Sequence, residues 1–430
     1  MKHYEALEQE VQEAALDEGL SVVLLKKPGF EQKYLSFSTH YGGIHSAFIR
    51  PGESTVTRVP DGIAHFLEHK IFEEPDGVPA LEKLSRIGAS PNAYTGTYYT
   101  VYHCSLVDRV WEGLDILLDF VQTPYFTDEN VAKEQGIIGQ EIQMGLDSPV
   151  RMVHYNLLES LFREHPARIR IIGTVESISR ITKELLYLCH DTFYHPSNML
   201  VVAAGDIEFD RLVDAVGTDI AARNYAPRDP VRFVYADEPE EVAAPEVRHK
   251  MKVSRPRVLV GFKGRLDPLP GEDGKAYQRR QLAVELALDA VLGKTTGLYW
   301  SLYEKGVIAA SYGYSLTVHP GAAYIAAGAE SEDPDAFRDR ITEALAQAAS
   351  NGIDRDRFEE ARRREIGQLA SALDDPDWLV QLYTMYRFRG MDIFERREIL
   401  DSVDAEEGAR LLREFVRDRS RSCSIIEPLG

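Results

Sequence analysis

The segment that decides the interpretation of this chain is an apolar run at residues 63–72, which reads Ile63-Ala64-His65-Phe66-Leu67-Glu68-His69-Lys70-Ile71-Phe72. Its apolar residues recur with helical spacing. Because residues four apart lie on one face of a helix, His65 and His69 can bind the same metal ion. Glu68 lies between them in sequence and projects from nearly the same face. The segment therefore predicts a metal-binding helix that also carries a carboxylate.

The order of these residues, H-x-x-E-H, reverses the more common zinc-protease order H-E-x-x-H and is the inverzincin signature. The alternative is a helix whose histidines and glutamate form surface ion pairs. A catalytic zinc site needs a third protein ligand and an open position for water. If the motif binds zinc, a further ligand must come from elsewhere in the chain.

The best source of a third ligand is a predicted helix at residues 128–143, capped by Thr127 or Asp128. Its inner side is predicted to carry Val131, Ile137, Ile138 and Ile142. Glu134 and Glu141 lie two turns apart on one face. Carboxylates among buried aliphatic residues are costly unless a cation or a donor compensates them. The alternative is two glutamates on a solvated face, which the H-x-x-E-H motif makes the weaker interpretation.

The motif and the two-glutamate helix together resemble the family of pitrilysin, insulin-degrading enzyme and mitochondrial processing peptidase. The resemblance extends over nearly the whole chain and is greatest to the short bacterial members of two domains. Other segments that carry it are Gly88–Thr95, Gly173–Ile178, Tyr194–Met199 and Gly293–Tyr312. It implies an α+β fold of two tandem homologous domains, each a mostly antiparallel sheet packed with helices.

The resemblance also implies a role for each residue of the two motifs. His65, His69 and Glu141 would bind Zn²⁺, and Glu68 would be the general base. Glu134, also a catalytic residue on this view, would orient an imidazole ligand and fix its tautomer. The chemistry agrees, because zinc supplies an activated water whose proton a nearby carboxylate can accept.

Three residues are expected to bind the substrate, namely Asn92, Ala93 and Phe66. The resemblance places Asn92 and Ala93 on an edge strand, which can bind any extended peptide through main-chain hydrogen bonds. The alternative for these two residues is the ordinary start of a strand.

Composition indicates a globular protein with more than one core. The chain has 430 residues, of which 44% are hydrophobic and 27% charged. No uninterrupted apolar stretch approaches 18 residues, so we expect no transmembrane helix and no membrane partner. The polar, acidic start predicts no secretory signal. The three cysteines, Cys104, Cys189 and Cys423, are too few and too scattered for a disulfide framework. A cytoplasmic location is the simplest expectation.

The formal net charge of −20 argues against nucleic acid as a partner, because phosphates require a basic surface. Long-range attraction would favour basic peptides. A role of the acidic surface in solubility explains the charge equally well.

The predicted elements divide the chain into a zinc-bearing domain at 1–224, a linker at 225–247 and a metal-free domain at 248–430. The linker is rich in proline, alanine and acidic residues. Strands and helices alternate without a regular βαβ rhythm, which favours α+β. The second half repeats the element order of the first half loosely. It lacks H-x-x-E-H, and Leu369 stands where its metal-binding carboxylate would be. Gly293-Lys294-Thr295 is not a phosphate loop, because Leu288 occupies the position of the first glycine.

One departure from the family pattern concerns the second domain. Members that act alone supply an arginine and a tyrosine from this domain to the substrate carbonyl. Here Tyr303 stands near the arginine position and Ala309 and Ala310 near the tyrosine position, with Tyr312 as a shifted substitute. This predicts a heterodimer with a paralogous chain that carries the arginine and tyrosine. A homodimer is the alternative.

Three functions are compatible with these observations. The first is a zinc metalloendopeptidase subunit that hydrolyses peptides or unfolded segments in an enclosed chamber. The second is a maturation peptidase dedicated to one modified peptide or leader. The third is a non-catalytic assembly or core subunit, whose usual sign is an eroded zinc motif.

Overall fold

The computed structural model describes residues 2–309 and 311–429. Their contacts divide the chain into two units. The first comprises Met1–Ile142, Arg170–Val234 and Ser371–Phe394, and the second Gln143–Ile169, Tyr235–Ala370 and Glu395–Gly430. Each unit thus contains a segment from the opposite half of the chain. The linear boundaries at 1–224, 225–247 and 248–430 stay a prediction, since these packing units interleave along the sequence.

The strands of the described residues are β1 Lys2–Tyr4, β2 Gln9–Ala15, β3 Ser21–Lys26, β4 Lys33–Thr39, β5 Ala47–Ile49, β6 Val56–Arg58, β7 Ser90–Thr95, β8 Thr100–Leu106, β9 Met199–Gly205, β10 Arg232–Phe233, β11 Val247–Met251, β12 Arg257–Gly264, β13 Tyr312–His319, β14 Ala322–Glu330 and β15 Arg421–Pro428.

The α-helices of the same residues are α1 Ile63–Lys70, α2 Ala80–Arg86, α3 Val110–Gln122, α4 Asp128–Leu146, α5 Pro149–Leu161, α6 Val175–Ile178, α7 Lys183–Phe193, α8 Phe209–Ala222, α9 Gly274–Leu292, α10 Gly297–Glu304, α11 Pro334–Asn351, α12 Arg355–Leu373, α13 Pro376–Phe388, α14 Arg396–Ser402 and α15 Ala405–Leu412. Within this described part, no helix is both long and apolar enough to cross a membrane.

The first unit is built on a seven-stranded sheet in the order β1-β2-β3-β9-β4-β8-β7. All neighbours are antiparallel except β3 and β9, which are parallel. Every residue of β9 is buried, as expected for a central strand with both faces covered. Strand β7 forms one edge of the sheet. A small sheet, β10-β5-β6, completes this unit.

The second unit has a five-stranded sheet in the order β11-β15-β12-β14-β13, in which only β11 and β15 are parallel. This repeats the order and directions of β3-β9-β4-β8-β7. The chain order repeats as well, since two helices separate β4 from the β7–β8 hairpin and two separate β12 from the β13–β14 hairpin. The prediction of an α+β fold with two homologous domains is confirmed.

Each large sheet is covered by a helix from the opposite half of the sequence. In the first unit, α13 packs against β4 and β9, and Leu379 and Val380 of this helix are completely buried. In the second unit, α5 packs against β12 and β15. Gly261 permits the close approach of α5, because a Cβ atom there would lie 2.8 Å from the Cδ1 atom of Leu161.

Candidate metal centre

Helix α1 places both histidines of the motif toward the same point. Gly62 precedes the helix with φ of 92°, and a Cβ at this position would lie 2.6 Å from the carbonyl oxygen of Ile172. Glycine is therefore required where the chain turns into the helix. Ile63, Ala64, Phe66 and Leu67 are buried and fix the rotation of α1. The rings of His65 and His69 then lie with their centroids 4.6 Å apart.

Helix α4 supplies the predicted carboxylates. It is capped by Thr127, whose hydroxyl accepts a hydrogen bond from the backbone N–H of Asn130, while Asn130 Oδ1 accepts from the N–H of Thr127. Buried Val131, Ile138 and Ile142 anchor its inner side.

The prediction that Ile137 also lies on the inner side of α4 is wrong, because 45% of this residue is exposed. At 100° per residue, position 137 projects beyond the face shared by Glu134 and Glu141, away from the buried aliphatic residues. The two carboxylates therefore lie at the border of the apolar stripe.

Three predicted ligands converge. Glu141 Oε2 lies 3.8 Å from His65 Nε2 and 3.7 Å from His69 Nε2, and all three donor atoms lie within 4.8 Å of one another. Donor atoms around a tetrahedral zinc ion are about 3.4 Å apart, so small side-chain movements would complete the site. Among the described residues, this is the one group of three or more histidine, cysteine or acidic side chains with such spacing. Two imidazoles and a carboxylate suit zinc.

Glu134 contacts His69 at the ring nitrogen that does not face Glu141. Its Oε1 lies 3.0 Å from His69 Nδ1. This contact places the ring proton on Nδ1 and leaves the lone pair of Nε2 for a metal. Burial opposes ionisation of Glu134, but the hydrogen bond to His69 and the charge of Lys70 outweigh it and keep its pKa below the usual value. Burial and the neighbouring His69 lower the pKa of His65 to about 3, which keeps this ring neutral and able to bind a metal.

Glu68, the predicted base, has 8% of its surface exposed and accepts a hydrogen bond of 2.6 Å from Thr95 Oγ1. Burial raises its pKa more than this bond lowers it, and a raised pKa suits a carboxylate that must take up and return a proton. Sequence reasoning missed Thr95. The available signal was strand alternation, which places Thr95 on the same face as Ala93.

The residues expected to bind substrate differ in exposure. Asn92 is exposed and Ala93 half-buried on the edge strand β7, and Asn92 Oδ1 accepts a hydrogen bond of 2.9 Å from the N–H of Ala93. Phe66 has no exposed surface, because it lies on the side of α1 that faces the core. A peptide cannot reach its side chain in this structure, which corrects the expectation for Phe66.

The second unit carries arginines among the carboxylates of its corresponding helices. Arg396 lies 2.7 Å from Glu285 of α9 and 2.7 Å from Glu365 of α12. A further pair joins Arg364 and Asp289 at 3.1 Å. Within the described residues, no second metal-binding group is present here.

The residues near the expected arginine and tyrosine positions also lie in the second unit. Tyr303 of α10 is 52% exposed. The hydroxyl of Tyr312 donates to the carbonyl of Leu292 at 2.6 Å. Ala310 lies outside the described residues.

The fold and the donor set define a class of protein, the two-domain zinc peptidases with a metal centre in the first domain. Comparison with known proteins agrees. The family profile described as Insulinase (Peptidase family M16) matches residues 48–175, and the profile described as Peptidase M16 inactive domain matches residues 180–365.

Individual relatives extend this similarity over the full chain. The Bacillus subtilis protein named uncharacterized zinc protease YmfH is 38% identical over 424 residues, which cover 98% of both proteins. A putative M16-like peptidase from Alicyclobacillus acidocaldarius has a crystal structure that superposes with a TM-score of 0.90, at 34% identity and 98% coverage of both chains. The probable mitochondrial-processing peptidase subunit beta of Arabidopsis thaliana is 32% identical over 192 residues, 44% of this chain and 36% of that protein.

The chain therefore belongs to peptidase family M16, the insulinase and pitrilysin-like metallopeptidases. The predicted family is confirmed, and so is zinc as its metal.

Proposed function

We propose that this chain is the zinc-bearing subunit of a metalloendopeptidase that cleaves peptides or unfolded segments held in an enclosed chamber. The observation that carries the proposal is the convergence of His65, His69 and Glu141, with Glu68 beside them. A scaffold subunit would have no need of this arrangement, so the non-catalytic alternative is disfavoured. Dedication to one modified peptide or leader stays an alternative that uses the same residues.

Each side chain has a role in the proposed reaction. Zinc, bound by His65, His69 and Glu141, would supply a water of lowered pKa and polarise the peptide carbonyl. Glu68 would accept the proton of the attacking water and pass it to the departing amine. The Thr95 hydroxyl holds Glu68 in one orientation.

The edge strand β7 is the proposed substrate-binding element. An extended peptide can add to such an edge through main-chain hydrogen bonds, and this mode accepts many sequences. Asn92 is exposed and Ala93 half-buried on this strand. The Ala93 N–H now donates to the Asn92 side chain. This hydrogen bond would have to break before the same N–H could donate to a peptide carbonyl.

The proposed partner is a paralogous two-domain chain that supplies an arginine and a tyrosine to the substrate carbonyl, in a cytoplasmic heterodimer. Positioning of the reacting groups supplies much of the rate in such reactions. The run Leu302–Tyr312 offers tyrosines and no arginine. The Arabidopsis thaliana relative, 32% identical over 192 residues, is named a subunit, which supports a two-chain enzyme. A homodimer would still lack the arginine.

One experiment tests both the centre and the partner. Protein purified without chelator should contain about one zinc per chain. The Glu68→Gln variant should keep the zinc and lose peptide cleavage, because the substitution removes the base and no ligand. The wild-type chain alone should cleave unstructured peptides slowly, and the paralogous chain should accelerate cleavage. Full turnover by the Glu68→Gln variant contradicts the proposed base, and equal rates with and without the second chain contradict the partner.

A further inference from the structure

Lys70, the last residue of α1, is a lysine with no exposed surface. It follows the metal-binding His69 directly in sequence. Its Nζ lies 2.5 Å from Glu73 Oε1 and 3.6 Å from Glu134 Oε2. Burial of an ammonium group is costly unless negative charges compensate it. The two carboxylates provide this compensation, and one of them also contacts a histidine of the metal centre.

Glu134 connects Lys70 to His69. Its Oε2 faces the ammonium of Lys70, and its Oε1 lies 3.0 Å from His69 Nδ1. The two oxygens therefore have different partners. A rotation of the carboxylate away from Lys70 would also carry it away from the imidazole, so the ammonium restricts the orientation in which Glu134 meets His69.

Lys70 has a second carboxylate partner. Glu73, 31% exposed, contacts its Nζ at 2.5 Å, and the backbone N–H of Glu73 donates to the carbonyl of Lys70 at 3.2 Å. A cation at the C-terminal end of a helix is also favoured by the helix dipole. His65 has no equivalent arrangement, because its Nδ1 is buried without a hydrogen-bond partner among the described residues.

We propose that Lys70 is a positioning residue of the metal centre, which holds Glu134 so that His69 presents Nε2 to zinc. This inference rests on the proposed zinc site. The simpler alternative is that Lys70 only stabilises the end of α1 through its ion pair with Glu73. If Lys70 positions Glu134, loss of Lys70 weakens zinc binding through Glu134. If Lys70 only stabilises the end of α1, zinc affinity does not depend on it in this way.

The test measures zinc affinity of the metal-free full chain by competition with a chromophoric chelator at constant pH, with no peptide substrate. Lys70→Met removes the charge and keeps the length of the side chain. Removal of a residue that supports a ligand typically costs 10–100-fold in metal affinity, and Lys70 acts one contact further away, so we expect a loss of ~3–30-fold. The matched control is Glu73→Gln, which breaks the shorter ion pair of Lys70 but leaves Glu134 intact, and should change affinity less than ~2-fold.

A double-mutant cycle decides between the two explanations. If Lys70 acts through Glu134, Lys70→Met should cost little further affinity in a Glu134→Gln background. The inference is overturned if Lys70→Met leaves affinity unchanged, if its cost is the same in both backgrounds, or if Glu73→Gln weakens binding as much. Circular dichroism checks folding, and Lys70→Gln replaces Lys70→Met if the latter does not fold.

The His65→Ala variant separates failure of this inference from failure of the zinc site. If His65→Ala binds zinc as tightly as the wild type, the site itself is assigned wrongly and Lys70 has no centre to position. If His65→Ala loses zinc while Lys70→Met binds normally, the zinc site stands and only the role of Lys70 is refuted.

Discussion

Replacement of Glu238 by alanine should destabilise the second unit strongly, although this residue lies in the acidic segment predicted as a linker. Its carboxylate accepts hydrogen bonds from the backbone N–H groups of Arg163, Glu164 and His165 at 3.0, 2.8 and 2.7 Å. It also pairs with Lys263 Nζ at 2.8 Å. The side chains of Glu238 and Lys263 are 3% and 4% exposed, so water cannot replace these contacts.

The size of the effect follows from this burial. Removal of one partner of a buried ion pair costs ~3–5 kcal/mol, because the other charge stays buried without its partner. Lys263 would keep its bond to the carbonyl of Glu241, at 2.6 Å, and its contact with the ring of Phe162, whose centroid lies 5.8 Å away. Burial opposes the charge of Glu238, but Lys263 and the three N–H donors outweigh it and hold the pKa of Glu238 below its usual value. The stabilisation is therefore complete above the ordinary pKa of a glutamate and is lost as the pH falls through the lowered value.

Urea unfolding at neutral pH, followed by circular dichroism, measures this cost. The matched control is Glu240→Ala, two residues away, whose carboxylate is 74% exposed and pairs with Arg417 at 3.3 Å. That variant should lose ~0–1 kcal/mol. The double variant Glu238→Met/Lys263→Met should recover only the part of the loss that comes from the unpaired charge of Lys263. The N–H groups of Arg163, Glu164 and His165 would still lack their acceptor. Equal effects of Glu238→Ala and Glu240→Ala would refute the reasoning.

Three further predictions concern the metal centre and its support. Thr95→Val should lower kcat/KM of the active complex ~10–100-fold with zinc content unchanged, because Glu68 loses a charge-assisted hydrogen bond, and Thr95→Ser should restore it. Glu141→Gln should lose most of its zinc affinity, and Glu134→Gln should bind zinc ~10–100-fold more weakly than the wild type, as measured by chelator competition. A larger loss for Glu134→Gln would mean that Glu134 is the zinc ligand and Glu141 the residue that supports it. Leu379→Ala in the full chain should lower the free energy of unfolding by ~2–5 kcal/mol in urea unfolding, because Leu379 of α13 is completely buried against the first sheet.

Local sequence patterns predicted the two helices that carry the metal site. Helical spacing placed His65 and His69 on α1 and the two glutamates on α4. These predictions hold because helix and strand periodicity is a property of neighbouring residues. The predictions for Phe66 and Ile137 were wrong because both depend on how a helix packs. Periodicity assigns residues to a face of a helix, but the packing of that helix decides how much of the face is covered.

Two elements that the sequence did not reveal, β15 and α13, complete the sheets. Strand β15 lies between β11 and β12, although about 160 residues separate it from β12 along the chain. Helix α13 covers the sheet of the first unit from the second half of the sequence. Such pairings depend on the free energy of the whole fold, and no window of neighbouring residues contains both partners.

The sequence by itself determined the type of metal centre, because His65 and His69 stand four apart on one helix and Glu134 and Glu141 seven apart on another. This spacing and the donor chemistry are local. Only the tertiary structure decided that Glu141 turns to the two imidazoles and that Glu134 contacts Nδ1 of His69. It also decided that Thr95 donates to Glu68 and that Lys70 pairs with Glu134. These contacts join separate elements, and the direction of each side chain is set by packing against residues far away in the sequence.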